Sequence, residues 1–160
     1  MSKSHLRLFL ALASIAAFAM MLPFPAGAAG KPLVVVAATS SPFQDISVGE
    51  LRRAFMGEAV TLEGKRLIPI NHPLATPLRD RFDLLVLGLK PDEVGRFWVD
   101  RSIRAQSPPP KTVQSSELAV RIAMSLPGAI TYAAPESLND KLRALKIDGK
   151  ALGQPGYPLN

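Results

Sequence analysis

The sequence predicts a mixed α/β domain in which helices flank a central sheet. Residues 33–38 form a continuous apolar run that is typical of a strand covered on both faces, and residues 129–133, apolar except for Thr131 and Tyr132, predict a second buried strand. Between them lie several segments with the start signals and apolar spacing of amphipathic helices. We therefore expect a single compact domain with one core.

The first 28 residues are predicted to be a secretory signal peptide. Lys3 and Arg7 precede an apolar run over residues 8–22, and the small residues 26–28 form a cleavage site of the Ala-x-Ala kind. The apolar run is short for a membrane span, so an uncleaved anchor is the less favoured alternative. The predicted organisation is a signal peptide, 1–28, and a domain, 29–160, that is exported to the periplasm or beyond.

The composition excludes several kinds of site. The chain has no cysteine and two histidines, of which His5 lies in the predicted signal, so thiol chemistry and multi-histidine metal sites are excluded. We expect no cofactor. The formal net charge is +6, and removal of Lys3 and Arg7 leaves +4. This mild basicity suits an anionic ligand, whereas the scattered basic residues and the few aromatic residues argue against nucleic acid.

The turn after the first strand is a candidate ligand-binding segment. Residues 39–42 follow the carboxyl end of strand 33–38 and are rich in hydroxyl groups. Open α/β sheets bind ligands at the carboxyl ends of their strands, so Thr39 and Ser40 are candidates for contact with an oxyanion. A plain Ser/Pro turn is an equally good interpretation.

A helix follows this turn, and after it either a β-hairpin or a strand that is entered through a tight turn. Ser47 and Glu50 have the spacing of a capping box and predict a helix over residues 48–56. A tight turn at 63–64 then leads into a strand over residues 67–70. That strand leads the chain to its most informative segment.

Residues 71–82 predict a polar turn and the start of a helix. Thr76 is a favoured N-cap residue, and Pro77 suits the first helical position. The free N–H groups and the positive dipole end of such a helix attract anions, and His72 and Arg79 lie close by in sequence. The alternative is an ordinary capped helix with solvated basic residues, which is the commoner case.

Arg79 separates these two interpretations. A cation in the first turn opposes the helix dipole, which favours a functional role over a structural one. If Arg79 is instead paired with a buried acid, its removal should lower stability without any ligand. The acids Asp80 and Asp83 on the same helix are expected on a solvated face.

The second half of the domain predicts two further helices. One begins at Pro91 and places Trp98 in the core, and the other is capped by Ser115 or Ser116. After strand 129–133 we expect a short helical turn near residues 139–144.

Several motifs, in this order and spacing, resemble one family: the helix 50–57, the Gly64 turn, the strand to Ile70, Thr76 with Phe82, the Phe97-Trp98 helix and residues 126–132. The chain is similar to the phosphate-binding (PstS-like) proteins of ATP-driven uptake systems, and more closely to their short single-domain relatives. The resemblance implies a periplasmic-binding-protein-like (type II) mixed sheet with flanking helices, possibly an incomplete two-lobe arrangement.

In that family an Arg-x-x-x-Ser-Gly-Thr pattern at a helix start holds the ligand, and a hydroxyl turn after the first strand adds to it. By position, His72 corresponds to the arginine, Thr76 to the serine, Pro77 to the glycine and Leu78 to the threonine. Our hypothesis is that Arg79, one turn into the helix, replaces the missing arginine.

The resemblance therefore implies an exported solute-binding module for a small inorganic oxyanion, phosphate first, that works with an inner-membrane permease. The candidate ligand-binding residues are Thr39, Ser40, His72, Thr76 and Arg79. The alternative is a scaffold that has lost its ligand and acts as a partner of other envelope proteins. An enzyme is not expected, because no Gly-x-Ser-x-Gly elbow is present and a single histidine remains after the signal.

Overall fold

The computed structural model describes residues 30–104 and 106–160, so the predicted signal peptide lies outside the described residues. Within these ranges, no helix combines the length and the apolar character needed to cross a membrane. The strands are β1 (Val34–Ala38), β2 (Asp45–Ile46), β3 (Thr61–Leu62), β4 (Lys65–Arg66), β5 (Ile68–Asn71), β6 (Lys111–Thr112), β7 (Ala129–Ala133), β8 (Leu142–Ala144) and β9 (Lys146–Ile147). The α-helices are α1 (Val48–Phe55), α2 (Pro77–Phe82), α3 (Pro91–Ile103) and α4 (Ser116–Ser125).

The central sheet has five strands in the order β6-β5-β7-β1-β8. β5 runs parallel to both β6 and β7, whereas β1 is antiparallel to its two neighbours, β7 and β8. The register aligns Ile68 with Ala129 and Ala37 with Ile130. The carboxyl ends of β5 and β7 therefore lie together at one end of the sheet, which we call the β5/β7 end. The carboxyl end of β1 lies at the opposite end.

The sheet is covered on both faces, as the two apolar runs predict. Every residue of β1 and β7 is buried. Because successive side chains of a strand point to opposite faces, Val35 packs in the cluster that contains α1 and α2, and Val36 packs in the cluster under α4. The mixed α/β fold with flanking helices is thus confirmed.

Three aromatic rings join the helices to the sheet. Phe82 stacks on Tyr132 with ring centroids 3.8 Å apart, and Phe55 contacts Phe82 at 4.6 Å. This stack fixes α2 over β7. It also holds the Tyr132 hydroxyl against Asn71, whose side-chain oxygen accepts its hydrogen bond at 2.6 Å.

The helix starts follow the sequence signals. The predicted capping box is present, because the Ser47 hydroxyl accepts from the Glu50 N–H and the Glu50 carboxylate accepts from the Ser47 N–H. α2 begins at Pro77, as expected. It continues as a π-helical turn, Asp83–Leu87, which ends where Gly88 adopts a left-handed φ of 70°.

Two local expectations are wrong. Trp98 is only half-buried, because α3 packs chiefly on the π-helical turn and Val94 is its one fully buried residue. Residues 139–144 do not form a helical turn. Instead, β8 pairs with β1 and satisfies backbone groups of β1 that would otherwise lie unpaired at the edge of the sheet.

Candidate functional site

A cleft of about 580 Å³ opens at the β5/β7 end of the sheet. His72 lies at its floor, α4 forms one wall, and the start of α2 and the segment after β7 form the rest. The lining residues are His72, Leu78, Ser116, Glu117, Val120, Arg121, Met124, Ala133, Ala134 and Ser137.

The topology explains why α4 begins at this cleft. β6, α4 and β7 form a βαβ unit, since β6 and β7 both run parallel to β5. The helix of such a unit starts at the carboxyl ends of the strands, which is where open α/β sheets bind ligands. Ser115 caps α4 by accepting from the Leu118 N–H, and Ser116 is the first helical residue.

A chain of hydrogen bonds connects the sheet to the floor of the cleft. The Thr131 hydroxyl donates to the Ile70 carbonyl at 2.8 Å. The His72 Nε2 lies 3.1 Å from the Thr131 Oγ1, and the His72 Nδ1 lies 2.8 Å from the Ser116 Oγ. Because the proton of Thr131 is directed at Ile70, the Nε2 of His72 is the donor in its bond with Thr131.

His72 is neutral at pH 7. Its side chain is fully buried, and burial lowers its pKa to about 4. A hydrogen bond between the His72 ring and the Tyr132 backbone opposes this lowering of the pKa, and the Arg79 charge adds to it. With the proton on Nε2, Nδ1 accepts a hydrogen bond, so the Ser116 hydroxyl donates to it.

Arg79 lies beneath the cleft and is 2% exposed. Its Nε donates to the Asp83 carboxylate at 2.6 Å, and its Nη1 donates to the His72 carbonyl at 3.0 Å. The expectation that Asp83 faces solvent is wrong, since it is fully buried. Burial raises the pKa of the Asp83 carboxyl, and the Arg79 charge opposes this rise. Of the two arrangements considered for Arg79, the structure has the buried ion pair.

The start of α2 offers little to an anion. The Thr76 hydroxyl donates to the Pro73 carbonyl at 3.0 Å and makes no capping bond. Pro77 has no N–H, and α2 is six residues long. Thr76 therefore closes its own turn.

Thr39 and Ser40 do not meet the other candidates. They follow β1, whose carboxyl end lies at the opposite end of the sheet. By the strand register they are about 16 Å from His72 along the strand direction, at about 3.3 Å per residue. The Arg143 side chain donates to the Thr39 and Ser41 carbonyls, both at 2.6 Å, and so fixes the turn. Of the five candidates, His72 lines the cleft, Arg79 donates to the His72 carbonyl from beneath it, and Thr76 bonds within its own turn.

The charged residues at the mouth of the cleft, Glu117 and Arg121, were not among the residues predicted from the sequence. Glu117 and Arg121 lie one turn apart on α4, both are exposed, and no ion pair joins them in the described part of the chain. The Glu117 backbone N–H and the Ser115 hydroxyl lower the pKa of the Glu117 carboxyl, so it is ionised at pH 7. If β6 had been recognised as a strand, α4 would have been expected to start at the carboxyl ends of the strands, with Glu117 and Arg121 beside the cleft. A strand of two residues is too short to be recognised in the sequence.

The arrangement favours binding over catalysis. Ser116 and His72 form a hydroxyl–imidazole pair, but a pKa of about 4 makes His72 a weak base. Its other nitrogen contacts a threonine hydroxyl where a catalytic triad has a carboxylate. In residues 30–104 and 106–160, no group of three or more His, Asp or Glu side chains is placed to hold a metal ion.

We predict that Arg79→Ala lowers the free energy of unfolding by about 3–5 kcal/mol at pH 7, because it leaves the Asp83 carboxylate buried without its cation. Urea denaturation of ligand-free protein measures this. The matched control is Arg96→Ala, which removes an exposed arginine of α3 and should change stability by less than about 0.5 kcal/mol. Equal stability of the two variants would contradict the structural role of Arg79.

We further predict that acid weakens the fold through His72. The unfolded chain takes up this proton below about 6.5, whereas the folded chain takes it up only near 4. The contribution of His72 is therefore complete above pH 6.5 and is lost as the pH falls toward 4, by about 3 kcal/mol in all. Denaturation at several pH values measures the slope. His72→Gln should flatten it, and an unchanged slope would contradict burial of a neutral His72.

Comparisons with known proteins define the fold. No family model and no curated protein matches the chain. The chain is similar in structure to an ABC-type phosphate transport receptor from Vibrio cholerae, with a TM-score of 0.63 and 14% identity over 81% of this chain and 53% of the receptor. It is also similar to PstS from Borrelia burgdorferi, with a TM-score of 0.60 and 15% identity over 81% of this chain and 54% of that protein.

The chain thus spans about half the length of the solved structures that it matches. This coverage agrees with the expected incomplete two-lobe arrangement. The sequence resemblance and the structural similarity point to the same proteins. The chain therefore has the periplasmic-binding-protein fold of the PstS-type phosphate receptors.

Proposed function

We propose that this chain is an exported solute-binding module whose solute occupies the cleft at the β5/β7 end. One observation carries the proposal: the cleft of about 580 Å³ lies at the carboxyl ends of parallel strands, on the fold of proteins that bind a solute for transport. Its volume is within the range of small-molecule sites. Its lining contains no activated nucleophile, which supports binding as the role.

The proposed solute carries an oxyanion, with phosphate as the first to test. The PstS-like resemblance and the basic charge of the chain support this choice. The charge of Arg79 is balanced by Asp83 and His72 is neutral, so neither supplies positive charge to the cleft. Arg121 lines the cleft without an ion pair in the described chain, and we assign the anion to it. Arg79 then acts indirectly, by holding the backbone carbonyl of His72.

Export and delivery to a permease complete the proposal. Lys3, Arg7 and the apolar run after them support secretion, and the ABC-type receptors of the same fold support an inner-membrane permease as the partner. Protein for binding experiments is therefore purified from the periplasm.

We predict that phosphate binds and that Arg121→Ala weakens its binding ten-fold or more, because a charge-assisted hydrogen bond contributes about 1.5–3 kcal/mol. Isothermal titration measures this. Arg96→Ala, which removes an exposed arginine outside the cleft, should leave the affinity unchanged. Phosphate binding that is insensitive to Arg121→Ala would contradict the assignment of the anion, and no heat at millimolar phosphate would contradict phosphate as the ligand.

A second candidate function is an envelope protein-interaction scaffold without a solute. The neutralised Arg79–Asp83 pair favours it, because the α2 start then carries no net charge for an anion. α3 also exposes Val99 at 61% and Ile103 at 78%. Failure of a tagged chain to recover any reproducible partner from envelope extracts would count against this candidate.

A further inference from the structure

We infer that the solute is a small organic zwitterion with an apolar side chain, of the α-amino acid class, and that the anion at Arg121 is one end of it. The inference rests on the proposed solute-binding role of the cleft and names the chemistry of its ligand. Three features of the cleft support it: the polarity of its floor, the two opposite charges at its mouth, and its apolar wall.

The floor of the cleft presents an acceptor. The Ile70 carbonyl can only accept, so the Thr131 proton points to it, the His72 Nε2 proton points to Thr131, and the Ser116 proton points to His72 Nδ1. The lone pairs of the Ser116 Oγ are then available to the cleft. A group that meets Ser116 must therefore donate a hydrogen bond. An ammonium group does this with three N–H donors, a carboxylate cannot do it, and inorganic phosphate at neutral pH has only its one or two remaining O–H groups for it.

The burial of His72 supports this direction of hydrogen bonding. A protonated His72 would reverse the Ser116 hydroxyl, but the ring is fully buried and the Arg79 guanidinium donates to its backbone carbonyl. Desolvation and a nearby cation both disfavour a second positive charge there. The lowered pKa of His72 agrees with this geometry.

The mouth of the cleft presents one charge of each sign. Glu117 and Arg121 are neighbours one turn apart on the same helix, with Cβ atoms about 5–6 Å apart. An inorganic phosphate bound at Arg121 would be weakened by repulsion from the Glu117 carboxylate. A zwitterion pairs with both side chains, because its ammonium group can face Glu117 and Ser116 while its carboxylate faces Arg121.

The remaining wall suits an apolar side chain. Half of the ten lining residues are Leu78, Val120, Met124, Ala133 and Ala134. A flexible methionine adapts its shape to small apolar groups. A volume of about 580 Å³ far exceeds that of a single phosphate, and an apolar side chain would fill this space and displace water from it.

L-Leucine tests the inference against two matched probes. 4-Methylpentanoate has the same carbon skeleton and carboxylate but no ammonium group, and phosphate is the bare oxyanion. Isothermal titration of the periplasmic protein should show L-leucine binding at least ten-fold tighter than either. Glu117→Gln and Ser116→Ala should each reduce this preference, and Arg121→Ala should weaken L-leucine and 4-methylpentanoate alike. Glu58→Gln, which removes an exposed carboxylate outside the cleft, is the control that should change nothing.

The outcomes separate the two proposals. Equal affinity for L-leucine and 4-methylpentanoate, or tighter binding of phosphate, overturns the zwitterion and leaves solute binding at the cleft intact. No binding of any of the three probes overturns the zwitterion together with the solute-binding role. Melting temperatures of Ser116→Ala and Glu117→Gln without ligand show whether each variant is folded. The ratio of the affinities of the unaltered chain for L-leucine and 4-methylpentanoate tests the inference without any variant.

Discussion

The Ile70 carbonyl accepts a hydrogen bond and cannot donate one, and the polarity of the cleft depends on that constraint. Thr131 donates to this carbonyl, His72 donates to Thr131, and Ser116 donates to His72. A backbone group inside the sheet therefore determines that Ser116 presents a hydrogen-bond acceptor at the surface of the cleft. Tyr132 supports the same segment from the side, through its bond to Asn71 and its stack on Phe82. A fully satisfied buried network of this kind is rigid, which suits a preformed binding site.

The buried Arg79–Asp83 pair leaves the start of α2 without the anion-binding chemistry that the resemblance implies. In the resembling family the helix start after this strand provides the charge and the donors. Here Pro77 has no N–H, and the Thr76 hydroxyl donates to the Pro73 carbonyl. The guanidinium of Arg79 is directed inward to Asp83 and to the His72 carbonyl. The cleft consequently takes its charges from α4, where Glu117 and Arg121 stand on an exposed surface.

Local patterns in the sequence predicted local structure well. The apolar runs gave β1 and β7, and the Ser47–Glu50 spacing gave the start of α1. What depended on long-range pairing was missed. The direction of β1 relative to β7 is not encoded in its own residues, so the Thr39 turn was grouped with His72, although the two lie at opposite ends of the sheet. Likewise, Asp83 is buried because the Arg79 side chain turns back beneath the cleft to pair with it. The position of Ser116 at the cleft depends on strand β6, and two residues are too few for a strand to be recognised in the sequence.

The most direct test of this account is the protonation of the His72 ring. His72 is the single histidine after the predicted signal, so nitrogen-15 NMR at neutral pH reports on it alone. The account predicts a proton on Nε2 and none on Nδ1, in line with the donor role toward Thr131 and the acceptor role toward Ser116. A proton on Nδ1, or on both nitrogens, would turn the Ser116 hydroxyl toward the cleft as a donor and contradict the polarity on which the proposed solute depends.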